Sequence, residues 1–119
     1  MISYGPYSPI RQADNFYFIS GQVGIDPQTK LAAKDIKQQT VQTLENMKSL
    51  LAAHGLTLDK VIKTTVYLKN MTRFKDMNEV YTKYFNEPRP ARSCVEVSAL
   101  PKLAVNELLI EIEDVAYKP

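Results

Sequence analysis

The sequence predicts an α/β domain in which two helices pack on one face of a five- to six-stranded mixed sheet. Two stretches carry apolar residues at helical spacing, at about 34–54 and 73–86. Between and after them lie runs that alternate with a period of two, at 60–69, 92–98 and 108–117. At 119 residues, the chain suits a single domain spanning 1–119.

Gly5-Pro6-Tyr7-Ser8-Pro9 reads as an ordered loop, because two prolines forbid helix. Phe16-Tyr17-Phe18-Ile19 is a strand signal, and Ser20-Gly21 after it reads as a turn. Asp26-Pro27 marks another turn. In the first helical stretch Ile36, Thr40, Leu44, Met47 and Leu51 share one face. Gly55 follows, as expected of a left-handed position closing a helix. On strand 60–69, Ile62, Thr64, Val66 and Leu68 share one face, and Val61, Lys63, Thr65 and Tyr67 the other. Thr72 is the expected N-cap of the second helix, whose stripe is Phe74, Met77, Val80, Tyr81, Tyr84 and Phe85. Pro88 and Pro90 end it.

Composition excludes several classes. Hydrophobic residues make up 45% and charged residues 24%, which is enough apolar material for a core. The formal charge is +2, with no block of like charge, so no hold on nucleic acid or membrane is expected. One cysteine, Cys94, permits no internal disulfide. Met1-Ile2-Ser3-Tyr4-Gly5-Pro6 lacks the basic and apolar regions of a signal peptide. No apolar run approaches the roughly 18 residues of a membrane helix, so a reducing cytoplasm is the expected setting. One histidine and one cysteine make no zinc site, and four glycines form no phosphate-cradling loop.

Alternation on the two closing strands suggests where chemistry sits. Arg92, Cys94, Glu96 and Ser98 share one face of the first, with Val95 and Val97 on the other. On the second, Glu111 and Glu113 share a face, opposite Ile110 and Ile112. If the Val and Ile faces meet the helices, then Arg92, Cys94 and Glu111 lie together on the far face. Cys94, Val61 and Tyr67 favour burial, so a second copy of the chain is expected to cover that face. Unaided, Arg92 reads as a surface residue pairing with Glu96, Glu111 as a solvated strand residue, and Cys94 as a small hydrophobe. His54 reads as a cation at a helix C-terminus.

Five ordered blocks give these residues a further meaning: Gly5-Pro6-Tyr7-Ser8-Pro9, Ser20-Gly21-Gln22-Val23, Lys63-Thr64-Thr65-Val66-Tyr67-Leu68, Arg89 to Val97 with Leu100-Pro101-Lys102, and Ile110-Glu111-Ile112-Glu113. Together they resemble the Rid family, also called the YjgF-like or L-PSP translation-inhibitor family. The resemblance implies a chorismate-mutase-like fold and a homotrimer around a barrel-like centre, with sites in the clefts between subunits. It implies hydrolysis of 2-imino acids, released by pyridoxal-phosphate dehydratases, to 2-oxo acids and ammonia, without cofactor or metal. Arg92 would hold the substrate carboxylate, as its planar fork suits. Glu111 would activate the attacking water. Tyr7, Ser20, Gly21, Asn78 and Cys94 would line the site. Glu113 shares the face of Glu111, so only strand phase separates the two.

The chain departs from the family pattern at Leu103 to Leu109, where the loop before Glu111 is a few residues longer. Two other functions stand beside the deaminase: a non-enzymatic carboxylate-binding module of the same fold, and an endoribonuclease or translation inhibitor. The second finds neither a basic stripe nor a histidine pair in the sequence.

Overall fold

The computed structural model describes residues 4–119. The part of the leader reading that falls on Met1–Ser3 lies outside them. The elements are β1 (Ile10–Ala13), β2 (Phe16–Val23), α1 (Ile36–Ala52), β3 (Val61–Leu68), α2 (Phe74–Tyr84), β4 (Ala91–Glu96) and β5 (Ile110–Tyr117). The sheet has five strands in the order β1-β2-β5-β3-β4. Only β3 and β4 pair parallel, across the α2 crossover; the other pairs are antiparallel. The expected mixed sheet with two helices on one face is what forms.

Each helix has a local cause. Asp35 Oδ1 accepts from Gln38 N at 2.8 Å and caps α1. The face read from the sequence is the one that buries: Ile36, Thr40, Leu44, Met47 and Leu51 are all in the core. Gly55 has φ of 71°, the left-handed region, three residues beyond the end of α1. The start of α2 differs from expectation. Asn70, not Thr72, does the capping: its Oδ1 accepts from Thr72 N at 3.0 Å and starts a 3-10 turn at Met71–Arg73 that leads into α2. Asn70 precedes the turn in extended backbone, which is the geometry a cap needs.

Two strand readings also change. Ser20-Gly21 is not a turn. β2 runs through it to Val23, with a bulge between Ile19 and Gln22 where register with β5 shifts. In β3 a second bulge between Val61 and Lys63 turns Val61 into the core and leaves Ile62 exposed. A bulge advances the chain one residue without advancing the pairing, so strict alternation fails on either side of it.

The helix-facing side of the sheet buries Ile19, Thr64, Val66, Leu68, Ile110, Ile112 and Ala116. The other side leaves Phe16, Phe18 and Val95 exposed at 41%, 49% and 43%. Among the described residues, no helix is long and apolar enough to cross a membrane.

Candidate functional site

Arg92 does not share a face with Glu111. It pairs across the parallel ladder with Thr64, which is fully buried and hydrogen-bonded to Tyr81 of α2 at 2.7 Å. Arg92, Cys94 and Glu96 therefore face the helices, and Ser93 and Val95 face away. This reverses the expected phase of β4. The reason is that β4 is an edge strand with no fully buried residue, so apolarity does not identify its core face. Cys94 packs against the main core, and burial pushes its thiol pKa up despite the nearby Arg92. Glu96 makes no ion pair with Arg92; its Oε1 accepts from Met71 N at 2.7 Å.

The Arg92 guanidinium is held from three sides. Its Nη1 donates to Asn78 Oδ1 at 2.7 Å. Its Cζ lies 4.8 Å from the Tyr81 ring centroid and 5.5 Å from that of Phe74. Phe74, Asn78 and Tyr81 occupy one stripe of α2 at spacings of four and three. One donor is spent on Asn78, and the remaining fork is free for a planar anion.

Glu111 lies on the opposite side of the sheet, cross-strand from Tyr67. Its carboxylate folds over the bulge in β2. A Cβ at Gly21 would sit 2.7 Å from Glu111 Cδ, closer than two carbons pack, so glycine is what admits the side chain there. Burial raises the Glu111 pKa, and the charge of neighbouring Glu113 adds to this. Glu113 accepts a hydrogen bond from Tyr67 Oη. That bond, with burial, pushes the Tyr67 pKa up to about 12. Tyr67 thus spends its proton on Glu113, which leaves Glu111 as the carboxylate with free lone pairs.

Ser20 and Tyr7 gather beside Gly21. Ser20 Oγ donates to Ser8 O at 2.6 Å and Ser20 N to Pro9 O at 2.9 Å, which ties the loop carrying Tyr7 to β2. Tyr7 and Gly21 line one pocket. The seven sequence-chosen residues therefore fall into two groups. Arg92, Asn78 and Cys94 sit at the β4 edge under α2; Glu111, Gly21, Ser20 and Tyr7 sit by β2 and β5. From β4 to β5 is two strand spacings, about 10 Å, with the sheet itself between the two side chains.

The model of the Endoribonuclease L-PSP family matches residues 1–118. The chain belongs to that family. It is 56% identical to a RutC family protein of Pyrococcus horikoshii over 96% of this chain and 88% of that one. It is 44% identical to the chloroplastic Reactive Intermediate Deaminase A of Arabidopsis thaliana, over 94% of this chain and 58% of the relative. Among solved structures, RidA from an Antarctic Psychrobacter superposes with a TM-score of 0.92 at 38% identity, covering 98% of this chain and 92% of that one. The resemblance read from five short blocks is thus a family membership along nearly the full chain.

Sequence reasoning missed several residues around the candidate site and in the core behind it. Phe74 and Tyr81 read as core stripe, yet they face Arg92; their spacing around Asn78 was the available signal. Tyr67 and Asp114 were missed as well. Asp114 is 3% exposed, on the helix side of β5, and neither carboxyl oxygen has a hydrogen-bond partner among the described residues. Burial, with Glu113 nearby, raises its pKa to about 8, so it is largely protonated at neutral pH. No periodicity flags it, because an acid on the core face contradicts the pattern that finds strands.

Proposed function

We propose that the protein is a cofactor-free deaminase that hydrolyses 2-iminobutanoate and 2-iminopropanoate to the 2-oxo acids and ammonia. It works as a homotrimer, with each site shared between two copies. One observation carries this reading: an oriented guanidinium and a half-buried carboxylate of raised pKa face opposite sides of one sheet. Neither can serve a small substrate held by the other within one protomer. Across an interface, the Arg92 edge of one copy meets the Glu111 face of the next. The exposed Phe16, Phe18 and Val95 on the Glu111 side support such a covering.

Arg92 takes the carboxylate through its free fork and fixes the imine carbon in reach of a water on Glu111. Water oxygen adds to the C=N carbon as its proton passes to Glu111. Glu111 returns a proton to the amine nitrogen of the adduct, the C–N bond breaks as the hydroxyl gives its proton back to Glu111 and becomes the C=O of the 2-oxo acid, and ammonia leaves. The raised pKa of Glu111 brings it nearer the range in which a carboxylate takes and returns a proton efficiently. The name Reactive Intermediate Deaminase A of a 44% identical relative supports the same chemistry. Such imines come from pyridoxal-phosphate dehydratases acting on threonine and serine, and a cytoplasmic setting fits that supply. The family's endoribonuclease description finds less support. The one histidine, His54, sits at the end of α1 with Nδ1 3.1 Å from Leu50 O, far from Arg92 and Glu111 in sequence.

The deciding experiment couples the protein to a threonine dehydratase and follows 2-oxobutanoate. Acceleration over spontaneous hydrolysis that is lost in Arg92→Ala is the expected result. No acceleration, or an unimpaired variant, refutes the reading.

A further inference from the structure

Three polar residues stand in one row on the helix side of the sheet. Arg92 of β4 pairs with Thr64 of β3, and Thr64 pairs with Asp114 of β5. Tyr81 of α2 covers the row: its ring faces the Arg92 guanidinium, and its hydroxyl meets that of Thr64 at 2.7 Å. Exposure falls along the row, from half-buried Arg92 to fully buried Thr64 and Asp114. A cation thus stands at the open end and an acid at the closed end.

Neither end is matched locally. Among the described residues Arg92 makes no ion pair, and its hydrogen bond goes to the neutral amide of Asn78. Glu96, the other acid on that side of β4, is spent on Met71 N. The elements around Asp114 turn no other charge inward. β2 presents Ile19 and the phenol of Tyr17, α2 presents Tyr81, and α1 buries no titratable residue. Arg89, another cation that acts on Tyr81, is paired with Glu87. Glu113, on the opposite face of β5, favours the neutral form of Asp114.

The two ends sense one another. Their strands are two spacings apart, about 10 Å, in a core that screens charge poorly. Tyr81 registers both: burial raises its pKa most, the Thr64 bond and Arg92 lower it, and Asp114 raises it. Of the hydroxyl protons on Tyr81 and Thr64, one serves their mutual bond. The other can turn to an ionised Asp114, directly across the ladder from Thr64.

We propose that Asp114 is the buried counter-charge of Arg92, and that a carboxylate bound at the guanidinium takes over this role and draws a proton from solvent onto Asp114. The proposal rests on the reading of Arg92 as a carboxylate anchor and requires no turnover. Anion binding is then tightest where Asp114 is neutral and weakens as it ionises, with the exchange centred near its pKa of about 8.

The test has two arms. Carbon-13 NMR follows the Asp114 carboxyl through its titration in wild type and in Arg92→Gln. Loss of the cation is expected to move the midpoint up by about 0.5 to 1 pH unit. Calorimetry with 2-oxobutanoate, in buffers of different ionisation enthalpy, follows affinity and proton uptake in wild type and in Asp114→Asn. In wild type, Kd is expected to rise about 3- to 10-fold from about pH 6.5 to about pH 9.5, with proton uptake greatest near pH 8. Asp114→Asn is expected to take up no proton near pH 8 and to lose that rise. Cys94, beside Arg92 on β4, also titrates at alkaline pH, since burial raises its thiol pKa from 9.0; its share persists in Asp114→Asn and is read there. A midpoint that Arg92→Gln leaves in place overturns the proposal. So does binding without proton uptake, or a rise in Kd that is as large in Asp114→Asn. A shifted midpoint with no binding of 2-oxobutanoate upholds the counter-charge and refutes the carboxylate reading of Arg92 alone.

Discussion

The two regions that carry the candidate chemistry are built on opposite principles. The Arg92 edge is held by what surrounds it: an amide and two rings from α2 fix a cation on a peripheral strand. The Glu111 centre is held by what is missing. A glycine at a bulge leaves room for a carboxylate, and a tyrosine is occupied elsewhere. A cation needs an oriented fork to bind an anion, whereas a base needs free lone pairs and partial desolvation. An edge strand beneath α2 suits the first need, and a central strand beside a bulge suits the second.

That division can be broken most directly by separating the halves. Arg92→Ala and Glu111→Gln are each expected to lower kcat/KM by about 100-fold or more. Mixed by co-refolding, the two variants are expected to regain about a quarter of the wild-type sites, because random pairing reunites an intact Arg92 with an intact Glu111 at that frequency. No recovery on mixing would place both groups in one protomer's site and refute the shared arrangement.

Gly21→Ala tests the centre alone. The methyl must displace the flexible end of Glu111 rather than backbone, so thermal stability should stay near wild type. Hydrolysis is expected to fall about 10- to 100-fold while 2-oxobutanoate binding at Arg92 is largely kept, since only the base has moved.

Asp114 sharpens the comparison from the core side of β5. Its folded pKa of about 8 lies above the ordinary value of 3.8, so the folded chain holds a proton that the unfolded chain releases. Stability should therefore fall as pH rises from about 4 to about 8, and level off above that. Asp114→Asn removes the titration, so denaturant midpoints should lose this slope and exceed those of the wild type near pH 8. A wild-type midpoint that rises through that window would contradict the buried neutral acid.

The smaller effects are graded the same way. Glu113→Gln removes a charge that helps raise the Glu111 pKa, so the acid limb of the pH–rate profile should move to lower pH. Asn78→Ala loosens one side of the Arg92 guanidinium and should raise KM about 3- to 10-fold, through the loss of one charge-assisted hydrogen bond.

Legibility of the fold and of the site differed for a physical reason. The α1 face was readable because Ile36, Thr40, Leu44, Met47 and Leu51 bury on one side only. β5 was readable for the same reason, and Ile110 and Ile112 pointed inward as its pattern required. β4 was not, since no residue of this edge strand is fully buried: its inward Arg92 and Cys94 are only half-buried and its outward Val95 is exposed, so polarity does not follow the faces. The bulges in β2 and β3 were invisible, because a single extra residue breaks alternation without any composition signal.

By itself the sequence determined the class of fold, the α1 face, the inward face of β5 and, through five short blocks, the family. It determined these because burial on one side leaves a period, and a shared ancestry leaves motifs. Only the tertiary structure decided that Arg92 lies beneath α2 while Glu111 lies across the sheet from it. That choice depends on which side of an edge strand meets a helix, and on where the ladder slips by one residue. Both are settled by packing between segments far apart in the chain, which no local pattern encodes.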